Sequence, residues 1–162
     1  MKTITFIRHA KSSWEFELSD KKRPLNKRGL FDVEFMASLG VVKTLEPDAV
    51  FCSTALRTRE TCHVFLKKHV YQASIVSYLE LLYCFNPSDL NAFIDSINPR
   101  LTHVIIIGHN PALTAVINQL GDLYIENLPT CGIVKINFKT ASWQGLPKGQ
   151  IEYRLFPKQL MP

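Results

Sequence analysis

The residues of this chain best suited to chemistry are Arg8-His9 near its start and a second histidine, His109, far downstream. Each histidine closes a short apolar run. Ile4, Phe6 and Ile7, interleaved with threonine, read as a strand ending on Arg8-His9; Val104 to Ile107 read as another, with Gly108 allowing a tight turn before His109. A strand that is apolar on both faces belongs inside a sheet covered by helices. In open α/β sheets, ligands bind where the loops leave the C-terminal ends of the strands. Two such strands lying side by side and parallel would bring the imidazoles face to face, next to a guanidinium. That set suits an anionic substrate. The plainer reading, a basic dipeptide that merely ends a strand, is weakened because the arrangement occurs twice.

A further cation comes from the segment after a short strand at Asp48 to Cys52. Ser53 is expected to cap the next helix, which puts Arg57 in its first turn and Thr61 one turn later on the same face. A helix N-terminus presents unpaired N–H groups and partial positive charge to an anion. A guanidinium beside it adds a planar fork matched to phosphate oxygens. Arg59-Glu60 reads as a solvated pair, and His63 and His69 as structural or exposed. After His109, Asn110 is expected to cap a helix with Pro111 at its first position, and Leu113, Val116, Ile117 and Leu120 recur at helical spacing.

Taken in order, RHA at Arg8-His9-Ala10, S-x-x-x-R-x-x-x-T at Ser53, Arg57 and Thr61, and GHN at Gly108-His109-Asn110 resemble the motifs of the histidine phosphatase, or phosphoglycerate mutase-like, superfamily. The longer string RHAKSSW, followed by D-x-x-R-P-L-N-x-R-G at Asp20 to Gly29, is similar to the small bacterial branch typified by SixA phosphohistidine phosphatase. The resemblance runs from Met1 to about Leu120. Ala10 departs from it, standing where much of the superfamily has glycine. The resemblance implies phosphoryl transfer through a covalent phosphohistidine on His9, with Arg8, Arg57 and His109 around the phosphoryl oxygens and no metal or other cofactor. It places Arg23 at the phosphate pocket as an extra anion contact, the alternative being a surface arginine. It also singles out Glu80, where mutase-like members keep a proton-donating Glu; the alternative is a surface carboxylate at a strand end.

The whole chain is consistent with an enzyme of this size. With 162 residues and 46% apolar composition, one domain spanning 1–162 with a substantial core is expected, and no linker, repeat or low-complexity tract interrupts it. Charge arrives too early for a secretory leader and no apolar run reaches membrane-spanning length, so a soluble, cytoplasmic protein is expected. Four widely spaced cysteines without a CxxC pair indicate neither a zinc site nor a disulfide framework. The net charge of +5 is scattered, apart from Lys21-Lys22-Arg23 and Lys27-Arg28, without an aromatic-and-basic module for nucleic acid. A positive field that attracts phosphorylated substrates explains it as well, the alternative for most of the lysines being a solvated basic surface.

The remaining elements can be laid out from periodicity. Lys11 to Asp20, with Trp14 and Phe16, reads as a loop over the site. A helix is expected from about Lys27 to Leu39 with Phe31, Phe35 and Leu39 as its apolar stripe and Gly40 as its end. A short strand at Ile75 to Tyr78 precedes a helix opened by Asn86-Pro87. Past Leu120, Gly132 to Phe138 and Ile151 to Phe156 read as two further strands with no obvious chemistry. The order predicts a three-layer α/β/α sandwich with a mostly parallel central sheet, an antiparallel edge and no cap domain. The site would be open.

The function expected is hydrolysis of a phosphohistidine or phosphoester, on a protein or a small metabolite. A cysteine phosphatase needs C-x5-R, and Thr58 stands where Cys52 would require the arginine. A metal hydrolase would lack carboxylates near His9 and His109. A non-catalytic basic phosphate- or nucleic-acid-binding module is the alternative of a different class.

Overall fold

The computed structural model describes residues 1–161. Its elements follow in chain order: β1 (Lys2–Arg8), α1 (Lys27–Ser38), α2 (Gly40–Lys43), β2 (Ala49–Ser53), α3 (Leu56–Lys67), β3 (Val76–Leu79), α4 (Pro87–Asp95), β4 (His103–Gly108), α5 (Ala112–Leu120), β5 (Ile133–Phe138), β6 (Gln150–Leu155) and α6 (Pro157–Leu160). The strands form one six-stranded sheet in the order β3-β2-β4-β1-β5-β6. The first four strands in that order are parallel; β5 and β6 run antiparallel and make the edge. The mostly parallel α/β sandwich with an antiparallel edge is therefore the architecture observed. Among the described residues no helix is long and apolar enough to cross a membrane.

Alternation along the central strands creates the layers. Ile4 and Phe6 of β1, with Val104 and Ile106 of β4, face Leu90, Phe93 and Ile94 of α4 and Leu113, Val116 and Ile117 of α5. On the opposite face, Ile7, Ile105 and Ile107 pack with Val33 and Met36 of α1 and Val64 and Phe65 of α3. Full burial of such a side chain contributes roughly 1.5–3 kcal/mol. The two-sided apolar character of β1 and β4 thus follows from their central position.

Three local expectations are corrected. The core face of α1 is Val33, Met36 and Ala37, while Phe31 is 60% exposed and Phe35 and Leu39 are only partly buried. Aromatics at i and i+4 marked a stripe, but the helix is rotated toward its smaller residues, which fit closer to the sheet. Gly40 does not end a helix; the chain turns extended at Leu39 and Gly40 opens the short α2. Arg59 and Glu60 are not partners: Glu60 accepts the Leu25 N–H at 2.7 Å, and Arg59 lies over the Tyr78 ring.

The start of α1 is held against the loop after β1. A Cβ on Gly29 would lie 2.1 Å from the Lys11 carbonyl oxygen, so only glycine permits this approach. Asn26 caps α1 by accepting the Gly29 N–H, and its own N–H donates to the Lys11 carbonyl at 3.0 Å. The P-L-N-x-R-G segment therefore acts as a brace for the residues following His9.

Candidate active site

Register brings the two histidines together. β1 and β4 pair with Arg8 opposite Gly108, so His9 and His109 leave adjacent strand ends, and their ring centroids lie 5.3 Å apart. Gly108 does this without a left-handed backbone, since its φ is not positive. His9, His109 and Arg57 are buried and line one pocket of about 360 Å³ together with Arg8, Arg23 and Asp20.

His9 has a defined tautomer. Its Nδ1 lies 2.7 Å from the Ala10 carbonyl oxygen, an acceptor only, so Nδ1 carries the proton and Nε2 keeps its lone pair. That Nε2 accepts a hydrogen bond from Arg57 Nε at 3.3 Å. Burial drives the His9 pKa down to about 3, against the Ala10 carbonyl and with help from the charges of Arg57, Arg8 and Arg23. The imidazole is neutral across the physiological range.

The S-x-x-x-R-x-x-x-T motif is a set of braces around that ring. Ser53 does not cap α3, which begins at Leu56 with Ala55 at its N-cap. It closes β2 instead, and its hydroxyl lies 2.8 Å from His109 Nε2. A serine near a helix start reads as a cap from sequence; the neighbouring strand end captured it. Arg57 Nη2 donates to His109 Nδ1 at 3.3 Å, which leaves Nε2 of His109 as the protonated nitrogen, donating to Ser53. Thr61 accepts the Ala10 N–H at 3.0 Å and donates to the Arg57 carbonyl at 2.7 Å, tying α3 to the loop after His9. Burial, then the charge of neighbouring groups, lowers the His109 pKa to about 3 as well.

Asn110 is likewise displaced from the cap position expected of it. Pro111 occupies the N-cap of α5, while Asn110 Oδ1 still accepts from the Thr114 N–H and hydroxyl at 3.1 and 2.9 Å. Arg8 donates to the Leu128 carbonyl at 3.0 Å, and its Nε is buried with no partner among the described residues. Arg23 is no surface arginine: it is 6% exposed, donates to Ser12 and Asp20, and stacks 3.6 Å beneath the exposed ring of Trp14.

Asp20, which local sequence signals did not single out, organises this cluster. Its Oδ2 accepts from Arg57 at 3.0 Å and from the Tyr83 hydroxyl at 2.6 Å, its Oδ1 from Arg23 at 3.1 Å, and its backbone carbonyl from Arg57 at 2.7 Å. Burial opposes the charge, but the hydrogen bonds from Tyr83, Arg57 and Arg23 outweigh it and hold the carboxyl well below the usual range. The D-x-x-R spacing was the available signal. Glu80, in contrast, is outside the pocket lining: it bonds Lys21 at 2.6 Å and Thr54 at 2.6 Å, with its side chain 65% exposed. Those contacts, Lys21 first, lower its pKa.

The arrangement can receive a tetrahedral anion against a neutral imidazole nitrogen, between guanidinium groups. A family model described as histidine phosphatase superfamily (branch 1) matches residues 4–80, which include Arg8, His9 and Arg57. An uncharacterized protein of Mycobacterium leprae is 30% identical over 155 residues, covering 86% of this chain and 91% of that one. The chain belongs to the histidine phosphatase superfamily. Among solved structures, the histidine phosphatase fold here is similar to the protein histidine phosphatase SixA complexed with tungstate, with a TM-score of 0.80 at 20% identity over 98% of this chain and 99% of that one. It is also similar to a mycobacterial glucosyl-3-phosphoglycerate phosphatase, with a TM-score of 0.69 at 10% identity over 94% and 97% of the two chains.

Proposed function

We infer that this protein is a cytoplasmic, single-domain phosphatase that removes the phosphoryl group from phosphohistidine on a protein. The reading rests on one observation: Asp20, the carboxylate that lines the pocket with the neutral, buried His9, is held ionised, and Glu80 outside that lining is paired with a lysine. Asp20 is locked by Tyr83, Arg57 and Arg23, and Glu80 by Lys21. Neither offers a proton to a leaving alkoxide. An alkyl phosphate needs that proton, a contribution of typically 10²–10⁴-fold, whereas the weak P–N bond of a phosphoamidate needs it far less.

In the first step His9 Nε2 attacks phosphorus in line with the leaving nitrogen; the N–P bond to the enzyme forms as the substrate P–N bond breaks, and the leaving ring, already protonated on its other nitrogen, takes the electron pair and departs as neutral imidazole. The proton stays on Nδ1, donated to the Ala10 carbonyl, which steadies the positive charge that develops on the ring. Arg8, Arg23 and Arg57 hold the equatorial oxygens, and His109, by accepting from Arg57 Nη2, keeps that guanidinium aimed at them. Arg57 exchanges Asp20 for the phosphoryl oxygens as substrate enters. Water then attacks phosphorus, inorganic phosphate leaves, and the pair returns to Nε2.

The test is a quenched single turnover on a chemically phosphorylated histidine protein, alongside a seryl phosphate and an aryl phosphate. Acid-labile, base-stable label is expected on the native enzyme and none on His9→Ala, whose turnover should vanish. The phosphohistidine protein should be cleaved roughly a hundredfold or more faster than the alkyl ester. Full activity of His9→Ala would end the covalent mechanism; equal rates on the alkyl ester would end the phosphoamidate assignment.

A further inference from the structure

The antiparallel edge, which sequence reading left without chemistry, forms one wall of a groove of about 810 Å³ that joins the phosphate pocket. Arg8, Lys11 and Thr130 line both. The groove is also lined by Arg28 of α1, Arg154 of β6 and Lys158 of α6. Five basic side chains therefore face two acids, Asp32 and Glu126. Arg28 and Asp32 satisfy each other at 2.8 Å. Lys11, Arg154 and Lys158 take part in no ion pair among the described residues, although the protein pairs other surface lysines with carboxylates. Arg8 adds a buried, unpartnered Nε at the junction itself. Ile125, Pro129 and Phe156 give the trough an apolar side.

We propose that this groove binds an acidic stretch of the polypeptide that carries the phosphorylated residue, and so selects phosphorylation sites flanked by Asp or Glu. The proposal rests on the phosphatase reading above and adds its substrate preference. Charge complementarity supports an anionic occupant, because among the described residues Lys11, Arg154 and Lys158 are three cations outside any ion pair against the single unpaired acid Glu126, which leaves the groove net positive. The size of the trough supports a polypeptide: a phosphoryl group is accommodated in the smaller pocket, and the groove beside it has more than twice that volume. The apolar side suits the aliphatic stems and backbone of a chain.

The experiment compares kcat/KM on three chemically phosphorylated histidine peptides, with acidic, neutral and basic flanks, and on p-nitrophenyl phosphate, which is too small to reach the groove. Native enzyme and an Arg154→Glu, Lys158→Glu double variant are measured at low and high salt. Native enzyme should prefer the acidic peptide over the neutral one by about tenfold, through KM, and the preference should shrink as salt screens it. The double variant should lose that preference and gain on the basic peptide while keeping its p-nitrophenyl phosphate rate. Equal native rates on acidic and neutral peptides, or an acidic preference that survives the charge reversal, would overturn the groove assignment while leaving the phosphatase intact. No turnover of any of the four substrates by native enzyme would instead overturn the phosphatase reading, and the groove assignment with it.

Discussion

Two ion pairs are built on consecutive residues, Asp20, which lines the pocket, and Lys21, which does not. Asp20 pairs with Arg57 at 3.0 Å, and Lys21 pairs with Glu80 at 2.5 Å. Their cations differ: the Arg57 side chain is 3% exposed although its partner Asp20 is 46% exposed, whereas Lys21 and Glu80 are 40% and 65% exposed. A pair in water is screened and worth little, about 0–1 kcal/mol. A guanidinium sheltered beside two neutral imidazoles acts in a medium where its field is weakly screened, and it can stabilise charge that appears during reaction. The shorter contact is thus the less consequential one, and shelter decides which of the two regions can do chemistry.

Variants on the sheltered side should produce the largest losses. His109→Ala removes a ring 5.3 Å from that of His9 and the acceptor for Arg57 Nη2, and under the proposed mechanism kcat should fall roughly 10²–10³-fold with label still accumulating slowly on His9. A loss below about tenfold would mean that the pocket works without it. Arg57→Lys keeps charge but loses the fork that spans His9, His109 and Asp20. At least about a tenfold drop in kcat/KM is expected, against no change for Arg59→Lys on the outer face of the same helix. Similar losses at both positions would erase the contrast between sheltered and solvated cations.

Acid should weaken the sheltered region first. With folded pKa values near 3, His9 and His109 stay neutral while an unfolded chain with ordinary histidines, about 6.5, takes up protons. Above that ordinary value both states are neutral and the contribution is full. It declines as pH falls toward 3, by up to about 1.4 kcal/mol per pH unit for each ring. Urea midpoints measured between pH 7 and 5 should therefore fall, and the slope should be visibly reduced in His109→Gln. An unchanged slope in that variant would contradict the neutral state assigned to His109.

The exposed pair should matter least. Glu80→Gln is expected to change turnover of phosphohistidine and p-nitrophenyl phosphate by no more than about twofold, because a solvated pair contributes little. A selective loss of about two orders of magnitude on an alkyl phosphate would make Glu80 the proton donor, with Lys21 swinging away in the complex.

What the sequence by itself determined was local and repeated. Two apolar runs each ended on a histidine, and their two-sided burial required central, parallel strands, which is why His9 and His109 could be placed face to face before any coordinates. Arg57 was legible for the same reason, since its distance from β2 is fixed by one short turn of chain. The tertiary structure decided what depends on contacts distant in sequence. Ser53 and Asn110 looked like helix caps, yet Ser53 is bound to His109, 56 positions away. Asp20 joins Arg57 and Tyr83, 37 and 63 positions away, and no periodicity records such a meeting. Glu80 occupied a suggestive place in the chain, but whether it reached the pocket depended on Lys21 and on solvent. The edge strands beyond Leu120 carried no motif; their cations acquire meaning only where antiparallel pairing sets Arg154 and Lys158 beside the groove that leads to Arg8. Backbone periodicity fixes which end of a strand a side chain occupies, whereas the packing of loops decides which side chains share a desolvated space.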